Sequence, residues 1–250
     1  MIKFRSDGVD IAYRDEGIGE PVLLVHGFAS NVRVNWLETG WTERLEARGR
    51  RVIAHDNRGH GESTKLYDPA AYSGAIMAED ARRLLDHLGI EQADIIGYSM
   101  GARICAFLAV NHPERVRSAV LAGYGMDMIR GRVDPAPIIE GLEAASLNDV
   151  PTRKGRMFRA FAERTGSDLK ALAACMRAPR PKVELAALAE LPMPVMVAAG
   201  EKDSVAGPVD ELARIMPHGQ VLVLPRRDHM SAVGDRTFKE RVVEFLDTRP

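Results

Sequence analysis

Ile95-Ile96-Gly97-Tyr98-Ser99-Met100-Gly101 joins two β-branched residues to a serine framed by glycines two before and two after it. An apolar helical pattern then runs from Gly101 to Val110. The β-branched pair reads as the end of a buried strand, and the apolar pattern as a helix packed inside a layered sheet. A strand that turns this sharply into a helix holds its serine in a strained conformation, with the hydroxyl exposed above the sheet. The flanking glycines let the two backbones approach closely. Ser99 is therefore the candidate nucleophile.

Working outward, the alternation of short apolar runs and helical patterns repeats. Val22-Leu23-Leu24-Val25, between Pro21 and His26-Gly27, reads as a strand buried on both faces. Val52-Ile53-Ala54, Val116 to Leu121, Val195 to Ala199 and Val221 to Leu224 continue the series. Ile2 to Phe4 and Val9 to Tyr13 flank Asp7-Gly8 and predict an antiparallel hairpin at the sheet edge. Between strands, Ala78 to Leu88 places Ala81, Leu84, Leu85 and Leu88 on one helical face, and Phe238 to Leu246 predicts a last helix. The expected fold is α/β, a mostly parallel eight-stranded sheet with helices on both faces, forming one domain over residues 1–250.

One region breaks the alternation. From Gly125 to Lys182 no strand-like run occurs, and Pro135, Pro137, Pro151, Pro179 and Pro181 punctuate short amphipathic pieces. This predicts a small helical cap inserted after a central strand, with residues such as Leu142, Met157 and Phe161 facing substrate. The segment holds eleven Lys and Arg against seven Asp and Glu. That excess, Arg153, Lys154 and Arg156 included, either draws anionic substrates to the pocket mouth or is a solvated helical face.

A serine hydroxyl needs a base, and the base needs a partner that fixes its tautomer. Pro225-Arg226-Arg227-Asp228-His229 follows the last strand-like run and precedes the last helix, which puts His229 on a loop at a strand's C-terminal edge. There a histidine can reach the site shared by parallel strands. The run ending at Ala199 leads into Gly200-Glu201-Lys202-Asp203, so Asp203 occupies the neighbouring loop. The order Ser99, Asp203, His229 differs from that of the other serine-protease arrangements.

These residues identify a resemblance. The chain is similar to the serine-nucleophile branch of the α/β-hydrolase superfamily from about Ile2 to Leu246. His26-Gly27-Phe28, Asp56-Asn57-Arg58-Gly59-His60-Gly61-Glu62-Ser63, the serine elbow and the Asp203/His229 pair occur in the family's order. The resemblance implies that the backbone N–H groups of Phe28 and Met100 form an oxyanion hole and that the 125–182 segment is a lid. Some family members take their acid after the strand that here ends near Leu121, which makes Asp127 the competitor for Asp203. Many relatives read Gly-Gly where this chain has Gly101-Ala102-Arg103. A cation in the first turn of a helix opposes the macrodipole, so Arg103 is expected to pair with an acid.

Composition narrows the remaining choices. With 46% hydrophobic and 28% charged residues, the 250-residue chain can bury a large core. Its formal charge of −1 supplies no field to recruit nucleic acid or membrane. Cys105 and Cys175 lack neighbours at metal-ligand spacing and read as buried small residues, so neither metal nor cofactor is expected. The first seven residues lack the apolar core of a secretory signal, and no apolar run is long enough to span a bilayer; the expected compartment is the cytoplasm. His26 is expected to order the oxyanion loop and His60 to be structural. His55 could line the pocket, and His87, His112 and His218 are expected on solvated surfaces. Tyr98 and Trp36 either contact substrate or pack.

The expected activity is hydrolysis of a small-molecule carboxylic ester, thioester or lactone through an acyl-serine. Carbon–carbon bond hydrolysis or lyase chemistry on the same residues is the alternative, as is a hydrolase-like binding protein with little turnover.

Overall fold

A computed structural model describes residues 1–132 and 134–249. Val133, inside the expected cap, and Pro250 lie outside the described residues. Eight strands form one sheet: β1 (Ile2–Ser6), β2 (Val9–Glu16), β3 (Glu20–Val25), β4 (Arg50–His55), β5 (Ala93–Tyr98), β6 (Val116–Ala122), β7 (Val195–Gly200) and β8 (Gly219–Leu224). Their spatial order is β1-β2-β4-β3-β5-β6-β7-β8. Strand β2 runs antiparallel to β1 and β4, and every other pairing is parallel.

Side-chain alternation divides the core into two layers. On β3, Leu23 and Val25 face one layer while Val22 and Leu24 face the other. The same period of two separates Ile95 from Ile96 and Val197 from Ala198. Helices α1 (Trp41–Glu46), α2 (Gly74–His87) and α3 (Met100–Asn111) follow β3, β4 and β5. Between β6 and β7 lie α4 (Met126–Ile129), α5 (Ala136–Glu143), α6 (Arg153–Arg164), α7 (Leu169–Arg177) and α8 (Leu185–Leu188). Helix α9 (Val209–Ala213) separates β7 from β8, and α10 (Arg236–Thr248) closes the chain.

Two expectations shift. Helix α2 begins earlier than its apolar stripe because the Ser73 hydroxyl caps it, accepting from the Ile76 N–H at 3.1 Å. Strand β8 is an edge, with Val221 and Val223 45% and 48% exposed, because no strand covers its outer side. Among the described residues, no helix is long and apolar enough to cross a membrane.

The Asp56–Ser63 turn is a brace for the loop after β3. Asp56 Oδ1 accepts from the Val32 N–H at 2.7 Å, and Oδ2 accepts from the Glu62 N–H at 2.7 Å. Arg58 makes a two-pronged ion pair with Asp80 at 2.7 and 2.8 Å, and both residues are buried. Removing one partner strands the other charge in the core. Arg58→Ala is therefore expected to cost about 3–5 kcal/mol, measured by urea unfolding.

Candidate active site

Ser99 sits where β5 ends and α3 begins, with φ 55° and ψ −112°, a strained backbone for a residue with a side chain. Its N–H donates to the Ala122 carbonyl on β6 at 2.7 Å, which ties the turn to the next strand. The two glycines are sterically required. A Cβ on Gly97 would lie 2.4 Å from the Gly101 carbonyl oxygen, and one on Gly101 would lie 1.9 Å from that of Val25.

His229 and Asp203 arrive on the loops after β8 and β7. The Ser99 Oγ lies 2.9 Å from His229 Nε2, and His229 Nδ1 lies 2.8 Å from Asp203 Oδ2. Asp203 Oδ1 accepts from the N–H groups of Val205 and Ala206 at 2.9 and 3.0 Å. Its side chain is 1% exposed. Burial alone would push the Asp203 carboxyl up, but the His229 contact and the two amides outweigh it and hold the group below the usual carboxylate range. The Tyr98 hydroxyl donates to the His229 carbonyl at 2.6 Å and fixes the histidine loop.

Asp127 is placed elsewhere. It packs against Gly207 and pairs with Arg132 at 3.0 Å, so the carboxylate brought to His229 is Asp203. A serine, an imidazole and a carboxylate joined this way can pass the hydroxyl proton to Nε2 while the carboxylate holds the other nitrogen.

Phe28 and Met100 line the same cavity as Ser99. Among the described residues, neither backbone N–H has an acceptor. His26 fixes the Phe28 loop: its Nδ1–H donates to the Gly27 carbonyl at 2.8 Å, and its Nε2 accepts from the Asn57 N–H at 3.0 Å. His60 packs against His26 and edge-on to Phe28.

Burial pushes both imidazoles down to about 3. The unfolded chain protonates them near pH 6.5, whereas the fold keeps them neutral down to about pH 3. The unfolded state thus binds more protons across that window, and stability falls as pH drops through it. The expected loss is about 2 kcal/mol per histidine between about pH 6.5 and 5, read from urea midpoints. Burial also lowers His55, which adds to the same slope, so His60→Gln should flatten it by about a third.

The other histidines lie outside the site. His55 is buried and does not line the cavity, His112 pairs with Glu79 at 2.5 Å, and His87 and His218 are exposed. Trp36 is fully buried edge-on against Trp41, so it packs, while Tyr98 lines the cavity.

The cavity has a volume of about 700 Å³ and lies between the serine and the 125–182 segment. Of the three cap residues expected to face it, only Phe161 does. Leu142 is buried away from the cavity and Met157 points to solvent. The reason is helix phase: α6 turns Phe158 and Phe161 inward, which rotates Met157 out. Arg153, Lys154 and Arg156 do not line the cavity either; Lys154 and Arg156 bond to the carbonyls of Asp134 and Val150.

Three features were not anticipated. The π-helical turn Arg33–Leu37 carries Asn35, whose Oδ1 accepts from the Gly27 N–H at 3.1 Å. Thr165, buried at the end of α6, places its hydroxyl 2.9 Å from the Ala29 carbonyl and so joins the cap to the loop of Phe28. Among the described residues Arg103 has no acidic partner. It donates to the Pro181 carbonyl at 2.6 Å and lies 5.9 Å from the Phe107 ring centroid. A polar residue in α3's first turn signalled nothing about a carbonyl 78 positions away.

Among the described residues, no group of three or more His, Cys, Asp or Glu could hold a metal ion.

Comparisons with known proteins agree with this architecture. The profile of the family described as alpha/beta hydrolase fold matches residues 20–174. A non-heme chloroperoxidase of Kitasatospora aureofaciens is 28% identical, aligned over 96% of this chain and 97% of its own. A 2-hydroxymuconate semialdehyde hydrolase of Pseudomonas sp. (strain CF600) is 38% identical over 55% of this chain, a match that spans 45% of that protein. Among solved structures, an N-acyl homoserine lactone degrading enzyme superposes with a TM-score of 0.78 at 24% identity, covering 98% of this chain and 100% of that one. A thermophilic esterase from Thermogutta terrifontis gives 0.74 at 25% identity, covering 98% and 97%.

Proposed function

This chain belongs to the alpha/beta hydrolase fold family, and from that premise we propose that it is a serine hydrolase cleaving a small-molecule carboxylic ester, thioester or lactone through an acyl-serine. The observation that carries the proposal is the unbroken line from Ser99 Oγ through His229 to Asp203, at 2.9 and 2.8 Å, on the wall of an apolar cavity.

In this reading His229 takes the Ser99 proton as the oxygen attacks the substrate carbonyl. The negative charge that forms on the carbonyl oxygen meets the N–H groups of Phe28 and Met100, each such donor contributing about 3–4 kcal/mol. His229 returns the proton to the leaving group, then activates the water that releases the acyl group. Asp203 keeps the imidazole in the working tautomer and stabilises its cation.

The test is a panel of short-chain esters, thioesters and lactones. Release of a burst of alcohol or thiol ahead of steady turnover supports the reading; no turnover of any member contradicts it. Carbon–carbon cleavage is the second reading, favoured by the 38% identity to the semialdehyde hydrolase. A vinylogous diketone added to the panel tests it.

The 125–182 segment acts as a lid that selects substrate size, supported by Phe158 and Phe161 projecting from α6 into the cavity. Phe161→Ala is expected to shift kcat/KM between short and long acyl esters by roughly tens-fold, because pocket methylenes are worth about 1–3 kcal/mol each. Parallel changes across all chain lengths would place selection elsewhere.

A further inference from the structure

The cavity that holds Ser99 is mostly apolar, yet three guanidinium groups line it, those of Arg103, Arg164 and Arg180, with no carboxylate among the described residues to neutralise them, and the first and last stand together. Arg103 projects from α3 one helical turn beyond the serine, its N–H donating to the Ser99 carbonyl at 3.1 Å. Residues four apart on a helix have their Cβ atoms about 5–6 Å from one another, so this cation belongs to the reaction chamber. Arg180 comes from the chain after α7 and donates to the Met176 carbonyl at 3.0 Å. The Pro181 carbonyl that accepts from Arg103 at 2.6 Å is its immediate neighbour in the chain, which brings the two arginines together.

Neither arginine lies within ion-pair distance of an acid among the described residues, although most arginines of this chain do. Desolvation holds both below the ordinary guanidinium value, and Arg103 lowers Arg180 further, even though Arg180 keeps a wet face at the rim. Arg103 also stands in the first turn of α3, where a cation opposes the helix dipole. Burial, a like charge and the dipole all act against these cations, and an anion between them would relieve all three.

The other charged groups around the cavity are already engaged. Glu38 pairs with Arg33 at 2.5 Å. Asp228 accepts from the Met230 and Ser231 amides and from the Ser231 hydroxyl. Arg164 lies over the Phe161 ring at 5.1 Å.

We propose that Arg103 and Arg180 form an anion subsite within the Ser99 cavity, so that the preferred substrate carries a carboxylate a few bonds from the carbonyl that Ser99 attacks. The subsite deepens the hydrolase reading and rests on it for its chemistry, while its binding can be measured apart from turnover. A planar guanidinium gives a carboxylate two parallel hydrogen bonds, so Arg103 both recognises and orients it. The positive charge that matters thus lies inside the cavity, not on the outward-facing residues of the basic cap.

Two matched pairs test the proposal: para-acetoxybenzoate against para-acetoxybenzamide, and mono-para-nitrophenyl adipate against its terminal amide. The first puts the charge on the leaving group and the second on the acyl chain. The acid of at least one pair is expected to exceed its amide in kcat/KM by roughly 10- to 100-fold, the range of a charged hydrogen bond. Arg103→Met should cut that ratio at least about tenfold, and Arg180→Gln, at the exposed rim, should cut it severalfold without depending on the helix start for folding. A ratio at or below unity in both pairs, or one that neither substitution changes, overturns the proposal.

The same ligands titrated calorimetrically into Ser99→Ala protein separate the two readings. If no ester is turned over, the hydrolase reading fails, yet tighter binding of the acid than the amide, lost in the Arg103→Met background, still supports the subsite. Equal binding of acid and amide rejects it.

Discussion

Ser99→Ala protein is expected to hydrolyse the best ester of the panel about 10⁵–10⁶ times more slowly than wild type, with thermal unfolding essentially unchanged. The size of the effect follows from the geometry: without the hydroxyl, the His229 and Asp203 line has no nucleophile to activate. In the proposed reading, what survives comes from binding and the Phe28 and Met100 amides. A loss of only a few-fold would mean that another group performs the attack.

Asp203→Asn is expected to lower kcat by about 10⁴ while preserving the fold. An asparagine can present its amide N–H to His229 Nδ1, which turns the ring to the tautomer that cannot accept the serine proton at Nε2. The carboxylate is also what stabilises the imidazolium during the reaction, and its protein environment keeps it ionised at neutral pH. Asp127→Asn removes only the contact to exposed Arg132 and should change kcat less than about threefold. The opposite ranking would transfer the acid to Asp127.

Much of this site is legible in the sequence because its geometry constrains residue types. Only glycine fits at 97 and 101, where any Cβ would strike a carbonyl oxygen, so the elbow leaves a visible pattern. The buried strands are legible as apolar runs because both faces of β3, β5, β6 and β7 are covered.

Long-range contacts leave no such trace. The Thr165 hydroxyl meets Ala29 across 136 positions, and the Arg103 guanidinium meets Pro181 across 78. Helix phase in the cap was equally hidden. The segment's basic and apolar content is plain in composition, but whether Met157 or Phe158 faces the cavity depends on how α6 docks. The expectation that Arg103 finds an acid failed because electrostatic reasoning supplies the need for an anion without saying whether the protein contains it.

A nucleophilic Ser99 is covalently acylated during turnover, and the adduct can be trapped. A para-nitrophenyl ester mixed with wild-type protein, in which His229 drives acylation, is quenched in acid during the burst and read by intact and peptide mass spectrometry. The predicted result is a mass increase equal to the acyl group, confined to the peptide containing Ser99 and absent from Ser99→Ala protein. Wild-type turnover of that ester with no acyl adduct at any quench time, or an adduct that survives loss of Ser99, would contradict the account.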